Sequence, residues 1–178
     1  MRRLNRYLFP ALVAAALALF PAACRHRPKP GAEAEDTSRP AMMLAMSDAR
    51  TPMQLVHGFY QLESGAWRWT GRTFGVSLRV PPNAAQNGAR LMMKVTVPQT
   101  QLDKLKSLTL SAKVNGVDVA PEIYARAGDF LYERDVPATA LPRDMATVEF
   151  SLDKVAPPAR PDVRELGIVV TNVGFMAK

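Results

Sequence analysis

The length of 178 residues limits the chain to a single domain of ordinary size. Its one cysteine excludes an internal disulfide. It carries 23 basic and 16 acidic residues, for a net charge of +7. Residues 1–40 hold seven of the basic and three of the acidic residues, so the other 138 residues carry only +3. We therefore expect no nucleic-acid partner, because the foldable part has no basic run.

The first residues have the layout of a secretory signal peptide. Three arginines within the first six residues precede the apolar run 8–20, which is shorter than the roughly 20 residues that a membrane-spanning helix needs. The following FPAAC resembles the lipobox of bacterial lipoproteins, in which small residues precede an acylated cysteine, although Pro21 departs from that pattern. The resemblance implies a signal peptide over 1–23 and lipidation of Cys24.

Acylation of Cys24 would hold the protein at a membrane by its lipid chains, in the periplasm or at the outer membrane surface. In the alternative interpretation, Cys24 is an incidental thiol in a leader that ordinary signal peptidase removes. Both interpretations place the protein outside the cytoplasm.

Residues 24–53 are predicted to form a flexible tether and residues 54–178 one folded domain. The tether begins with a polar, proline-rich stretch that has no apolar periodicity, and 40–49 allows a short helix. Its methionines allow two interpretations, a Cu(I) site or a hydrophobic segment packed on the domain, and they are Met42, Met43, Met46 and Met53.

Period-two alternation of apolar and polar residues dominates the predicted domain and indicates half-buried antiparallel strands. Asn115-Gly116 predicts a type I′ hairpin, and Gln99 to Leu108 predicts one helical turn. The sequence therefore predicts an all-β antiparallel sandwich of about eight strands. The expected strands are 74–80, 91–97, 108–114, 117–120, 130–136, 147–152, 165–171 and a short one near Phe175.

Two short elements, within a stretch of similarity that runs from about Phe59 to Phe175, resemble those of galactose-binding-domain-like jelly rolls in bacterial envelope proteins. Similar β-sandwiches are appended to glycosyltransferases. The elements are an early Arg68-Trp69 and a late D-x-R-x-L-G, which here is Asp162, Arg164, Leu166 and Gly167. The resemblance implies a jelly-roll sandwich that binds carbohydrate through its loops or serves as an interaction module.

Residues for catalysis or metal binding are sparse. The histidines are His26, in the tether, and His57, and neither G-x-S-x-G nor a zinc-ligand spacing occurs. Glu133 and Asp135 are interpreted as ordinary outward-pointing residues of a strand and not as an acid/base pair. We therefore expect no catalytic residue, no metal and no cofactor.

The candidate ligand-binding residues are Trp67, Arg68, Trp69, Glu63 and Arg164. Residues two apart in a strand share a face, so the tryptophans act together, either as a platform for a sugar ring or as part of the core. Counting by twos places them opposite Phe74, unless a bulge at Gly71 resets the register. Arg164 either binds ligand or pairs with Glu63 or Asp162.

These patterns lead to two functional hypotheses. The first is a non-catalytic lipoprotein module that binds glycan or another envelope component. The second is a structural or protein-interaction lipoprotein of the envelope without a small-molecule ligand.

Overall fold

A computed structural model describes residues 39–178, and most of them lie in antiparallel β-strands. The predicted signal peptide, the lipidation of Cys24 and His26 lie outside the described residues. Within residues 39–178, no helix has the length and apolar character required to cross a membrane.

The described chain forms nine strands, two short helices and two 3-10 turns. The strands are β1 (Met43–Ala45), β2 (Leu55–Glu63), β3 (Trp67–Arg79), β4 (Ala89–Val97), β5 (Leu108–Val114), β6 (Val117–Tyr124), β7 (Gly128–Val136), β8 (Met145–Leu152) and β9 (Val169–Ala177). The helices are α1 (Ala84–Asn87) and α2 (Gln99–Leu105), and the 3-10 turns are Thr51–Gln54 and Ala138–Ala140.

The strands pair in the order β6-β5-β8-β3-β9-β4-β7, with β2 beside β3 and β1 beside β9. The long strand β3 joins the two layers, because its residues 73–79 pair with β8 whereas Arg68 and Trp69 pair with β9. Successive strands pass repeatedly between the layers, as in a jelly roll. The predicted all-β antiparallel sandwich is confirmed.

The core lies between the two layers, where the alternating apolar residues of each strand meet. Phe74, which is fully buried, stacks on Phe150 of β8 with ring centroids 5.0 Å apart. Tyr132 of β7 meets the same Phe150 edge-on at 6.4 Å, so the aromatic contacts span both layers. The period-two pattern therefore identified the inward faces correctly.

The predicted hairpin and helical turn are also present. Asn115 and Gly116 have positive φ angles of 47° and 85° and join β5 to β6. The Asn115 side chain donates to the carbonyl of Ala140 and accepts from the amide of Thr147, which fixes the turn on the domain. Helix α2 occupies most of the stretch predicted to be helical.

The residues before position 54 differ from the sequence-based expectation. Where a short helix was predicted, β1 pairs with β9, and Leu44 and Met46 are buried. The side chain of Gln54 bonds to both backbone groups of Ala41, which ties this segment to the domain. Packing against β9 stabilises an extended conformation that local composition could not reveal.

Packing supports the hydrophobic-segment interpretation for part of the methionine group. Met46 is fully buried in the core, whereas Met53 is 79% exposed. No group of three or more histidine, cysteine, aspartate or glutamate residues within 39–178 is placed to hold a metal ion.

Residues 153–168 form a long loop between β8 and β9 where the sequence predicted that a strand begins at Glu165. Two isolated bridges, Ala156 with Leu166 and Ala159 with Asp162, give this loop its shape. Three further contacts attach it to β3: Gly167 donates to the carbonyl of Thr70, Ile168 to the Thr70 hydroxyl, and Arg72 to the carbonyl of Asp153. The loop is therefore held in place beside β3.

Candidate functional site

The tryptophans lie on the face of β3 opposite to its core residues. Arg68 and Thr70 are buried, as is Phe74 further along, whereas Trp67 and Trp69 are partly exposed. Arg72 has the same parity but is exposed, so the buried alternation is interrupted beside Gly71 and resumes with the same parity at Phe74. Neither tryptophan belongs to the buried core, so their apolar area remains available at the surface.

The two indole rings do not form one flat platform. Their centroids are 6.2 Å apart and their planes meet at 81°, which is an edge-to-face arrangement. A sugar ring can stack on one indole face at a time in this geometry. The two tryptophans therefore have different roles, and their surroundings distinguish them.

Arg164 is the centre of a charged cluster that bridges the loop 153–168 and β2. Its Nη1 donates to Glu63 Oε1 at 2.7 Å, and its Nη2 donates to Asp162 Oδ2 at 2.7 Å. The guanidinium also lies 5.2 Å from the ring centroid of Tyr60, a cation–π contact. The predicted pairing of Arg164 is observed with both candidate carboxylates, Glu63 and Asp162.

Tyr60 belongs to this cluster although the sequence analysis did not identify it. Its hydroxyl donates to the carbonyl of Glu165 at 3.0 Å, and its own carbonyl accepts from Arg68 Nη1 at 2.9 Å. Tyr60 stands in an irregular strand next to a register shift, so period-two counting gave no signal for its position.

The hydrogen bonds of Arg164 lower the pKa of Asp162 from 3.8 to about 2. The side-chain bond contributes most, followed by the bond from the backbone amide of Arg164. In return, Asp162 and then Glu63 raise the pKa of Arg164, so the guanidinium stays charged.

This shift predicts how stability depends on pH. The folded-state pKa of Asp162 lies below its unfolded value, so the carboxylate stabilises the fold above pH 4 and this contribution is lost as pH falls through about 2. We expect Asp162→Asn to lower the free energy of unfolding at pH 5 and to have a smaller effect at pH 2, measured by urea denaturation. As a control, Asp118→Asn removes an exposed carboxylate that pairs with Lys113 at 3.3 Å. An equal loss for Asp162→Asn at both pH values would contradict this expectation.

A cleft of about 120 Å³ lies at Trp69, between helix α2 and the loop 153–168. We call it the Trp69 cleft. Its polar and charged lining residues come from both sides, and Trp67 is not among the lining residues. The lining is Trp69, Thr100, Gln101, Lys104, Ala156, Pro157, Ala159, Asp162, Arg164 and Leu166.

The structure brings some of the predicted site residues together and separates others. Trp69 and Arg164 line the same cleft. Glu63 does not line it but forms an ion pair with Arg164. Arg68 faces the other way and is only 9% exposed, so it is not placed with the tryptophans for ligand contact. Its inward position follows from the alternation of residues 67–70, in which Arg68 and Thr70 share the buried face.

Helix α2 contributes three cleft residues that the sequence pattern did not indicate: Thr100, Gln101 and Lys104. They were passed over because the short helix was interpreted only through its apolar residues Leu102 and Leu105. Leu102 is buried, as that pattern predicts. No sequence signal connects α2 with Trp69, which is more than thirty positions earlier in the chain.

No family model matches this sequence, and no curated protein matches it. Among solved structures, an exo-β-1,3-galactanase from Phanerochaete chrysosporium with β-1,3-galactotriose is similar at 7% identity and a TM-score of 0.42, over 78% of this chain. The chain spans 29% of the galactanase. A carbohydrate-binding module studied for specific mannan recognition is similar at 13% identity and a TM-score of 0.43, over 78% of this chain and 97% of the module. The class defined by the structure itself is an antiparallel β-sandwich with a surface cleft at Trp69.

Proposed function

We propose that this protein is a non-catalytic glycan-binding module, carried by an extracytoplasmic lipoprotein, and that the glycan binds in the Trp69 cleft. The observation that carries the proposal is the partly exposed indole of Trp69 beside polar side chains that converge on one cleft. Sugar rings have an apolar C–H face that packs on an indole and hydroxyl groups that bond to neighbouring polar side chains.

The attachment of the loop wall of the cleft to β2 and β3 supports the same proposal. The loop wall is attached to β3 by backbone bonds at Thr70 and to β2 by the ion pair between Arg164 and Glu63. A binding site that is already ordered loses less conformational entropy when a ligand arrives. The arrangement therefore favours recognition of a ligand on a surface that does not need to reorganise.

The membrane anchor is part of this proposal and depends on the sequence pattern alone. Acylation at Cys24 would place the cleft outside the cytoplasm, where envelope glycans and extracellular polysaccharides occur. Mass spectrometry of the mature N-terminus tests it: we expect a diacylglyceryl cysteine as the first residue. A mature chain that begins elsewhere, without lipid, would remove the anchor and leave the glycan proposal to be judged by itself.

The glycan proposal is tested by affinity electrophoresis of the full-length chain in gels that contain neutral or acidic polysaccharides. We expect retardation by at least one polysaccharide and competition by its soluble oligosaccharides. If a folded protein migrates unchanged in every gel, the result favours the alternative, a structural or protein-interaction lipoprotein.

A further inference from the structure

The charged residues that line the Trp69 cleft are unequal in sign. Lys104 and Arg164 are cations, and Asp162 is the anion among them, so the lining carries one positive charge in excess. Glu63, which also pairs with Arg164, does not line the cleft. Because Asp162 and Glu63 together offset the charge of Arg164, Lys104 is the lining cation whose charge is not offset by a paired carboxylate among residues 39–178.

Asp162 and Arg164 are already committed to each other. Asp162 Oδ1 accepts from the backbone amide and the Nε of Arg164, at 2.9 and 3.0 Å. Asp162 Oδ2 accepts from Nε and Nη2, at 3.2 and 2.7 Å. Each carboxylate oxygen has about two acceptor sites, so Asp162 has little capacity left for a ligand hydroxyl. The Asp162 carboxylate therefore positions Arg164 and does not accept a hydrogen bond from a ligand.

Lys104 differs from Arg164 because its ammonium group has no ion-pair partner among residues 39–178. It is exposed on helix α2 and offers three donors and no acceptor. Its neighbour Asp103 instead accepts from Gln99 Nε2 at 2.7 Å. Because Arg164 donates to Asp162 and Glu63, the cationic donors left for a ligand at the cleft are those of Lys104, and they call for an acceptor-rich group with negative charge.

Gln101 lines the cleft but does not offer its amide oxygen to a ligand. Only 3% of the residue is exposed, and its Oε1, which has no donor among the described residues, is itself shielded from solvent. The cleft therefore presents an indole face and a cationic donor to a ligand.

We propose that the Trp69 cleft binds a uronate, an acidic sugar whose ring packs on Trp69 and whose carboxylate is held by Lys104. A uronate carries both complements in one residue: an apolar ring face and an acceptor-only carboxylate. This inference rests on the proposed glycan-binding function and adds the chemical class of the glycan.

The test compares matched acidic and neutral polymers with the full-length chain. The probes are polygalacturonate and alginate, each alongside its carboxyl-reduced derivative, with affinities measured by affinity electrophoresis at several salt concentrations. We expect at least tenfold tighter binding to an acidic polymer than to its reduced form. Lys104→Gln should weaken acidic binding by roughly tenfold to a hundredfold, the range for a lost charge-assisted hydrogen bond, and should reduce the salt dependence.

Lys94→Gln is the matched control for this substitution. Lys94 is an exposed lysine of β4 that lies outside the cleft and, like Lys104, has no ion pair among the described residues. Its replacement should leave the affinity for both acidic polymers unchanged. Equal losses for the two variants would mean that net charge, and not the cleft, attracts the polymer, and would overturn the proposal.

Two further results distinguish an error in the uronate assignment from an error in the proposed glycan-binding function. Equal affinity for an acidic polymer and its reduced form would overturn the uronate and leave glycan binding intact. The absence of retardation in every gel of the full polysaccharide series would overturn both.

Discussion

Replacing Gly58 with alanine is expected to destabilise the domain by roughly 2–5 kcal/mol. Gly58 has a φ of +76°, and a Cβ added there would overlap the carbonyl oxygen of Thr73 and crowd the Cα of Phe74. The left-handed conformation costs an alanine about 1–2 kcal/mol, and forcing β2 away from β3 adds a further 1–3 kcal/mol or so. Urea denaturation of the full-length chain measures the sum.

Gly65→Ala is the matched control because it separates conformation from close approach. Gly65 has a similar φ of +64°, but nothing lies within 4 Å of an added Cβ. We expect this variant to lose about 1–2 kcal/mol, the conformational part alone. If both substitutions cost the same free energy, close contact between β2 and β3 at Gly58 is not what requires glycine there.

The close approach at Gly58 also matters for the site. Pairing between β2 and β3 shifts register on both sides of this position, from His57 opposite Gly75 to Phe59 opposite Thr70. These irregularities occur where β3 changes partner from β8 to β9. Tyr60 follows directly, so the same backbone geometry that joins the two layers also places Tyr60 under Arg164.

Trp69→Ala is expected to weaken glycan binding by about thirtyfold or more while the fold is retained. Removing an aromatic anchor from the middle of a binding site commonly costs about 2 kcal/mol, which corresponds to that change in Kd. Trp69 is partly exposed and outside the buried core, so its loss should reduce the free energy of unfolding less than Gly58→Ala does. Affinity electrophoresis and urea denaturation measure the two effects separately.

Trp67→Ala provides the comparison within the same strand. Trp67 is the same residue type, is partly exposed on the same face and touches Trp69 edge-on, but it does not line the cleft. We expect a loss of affinity severalfold smaller than that of Trp69→Ala. If the two variants lose affinity equally, the tryptophans act as one platform and the cleft at Trp69 is not the binding site. If Trp69→Ala unfolds the protein, Trp69 serves the fold.

Sequence pattern was sufficient for the architecture because period-two alternation is a local property. Positions 74, 76 and 78 and positions 91, 93, 95 and 97 are all buried, whichever strand lies beside them. The same argument placed the tryptophans opposite Phe74, and Arg68 and Thr70 are buried with the parity of Phe74, whereas Arg72 between them is exposed. The buried face therefore has the same parity on both sides of Gly71, although the alternation is interrupted there and β3 changes its neighbour from β8 to β9.

Long-range contacts could be predicted only in part. Charge suggested Glu63 and Asp162 as partners of Arg164, and both pair with it, although 101 positions separate Arg164 from Glu63. Nothing in the sequence indicated that helix α2 and the loop 153–168 line one cleft with Trp69, or that β1 pairs with β9. Composition and spacing do not show which distant segments lie side by side.

The sequence by itself determined the strand class, the inward faces of 74–80, 91–97 and 108–114 and the shared face of the two tryptophans, since alternation depends only on backbone geometry. The tertiary structure decided which tryptophan lines a cleft, that Arg68 is buried and that Arg164 is held between two carboxylates. Those outcomes depend on where β3 passes from one layer to the other, and that crossing is set by backbone contacts between residues far apart in the chain.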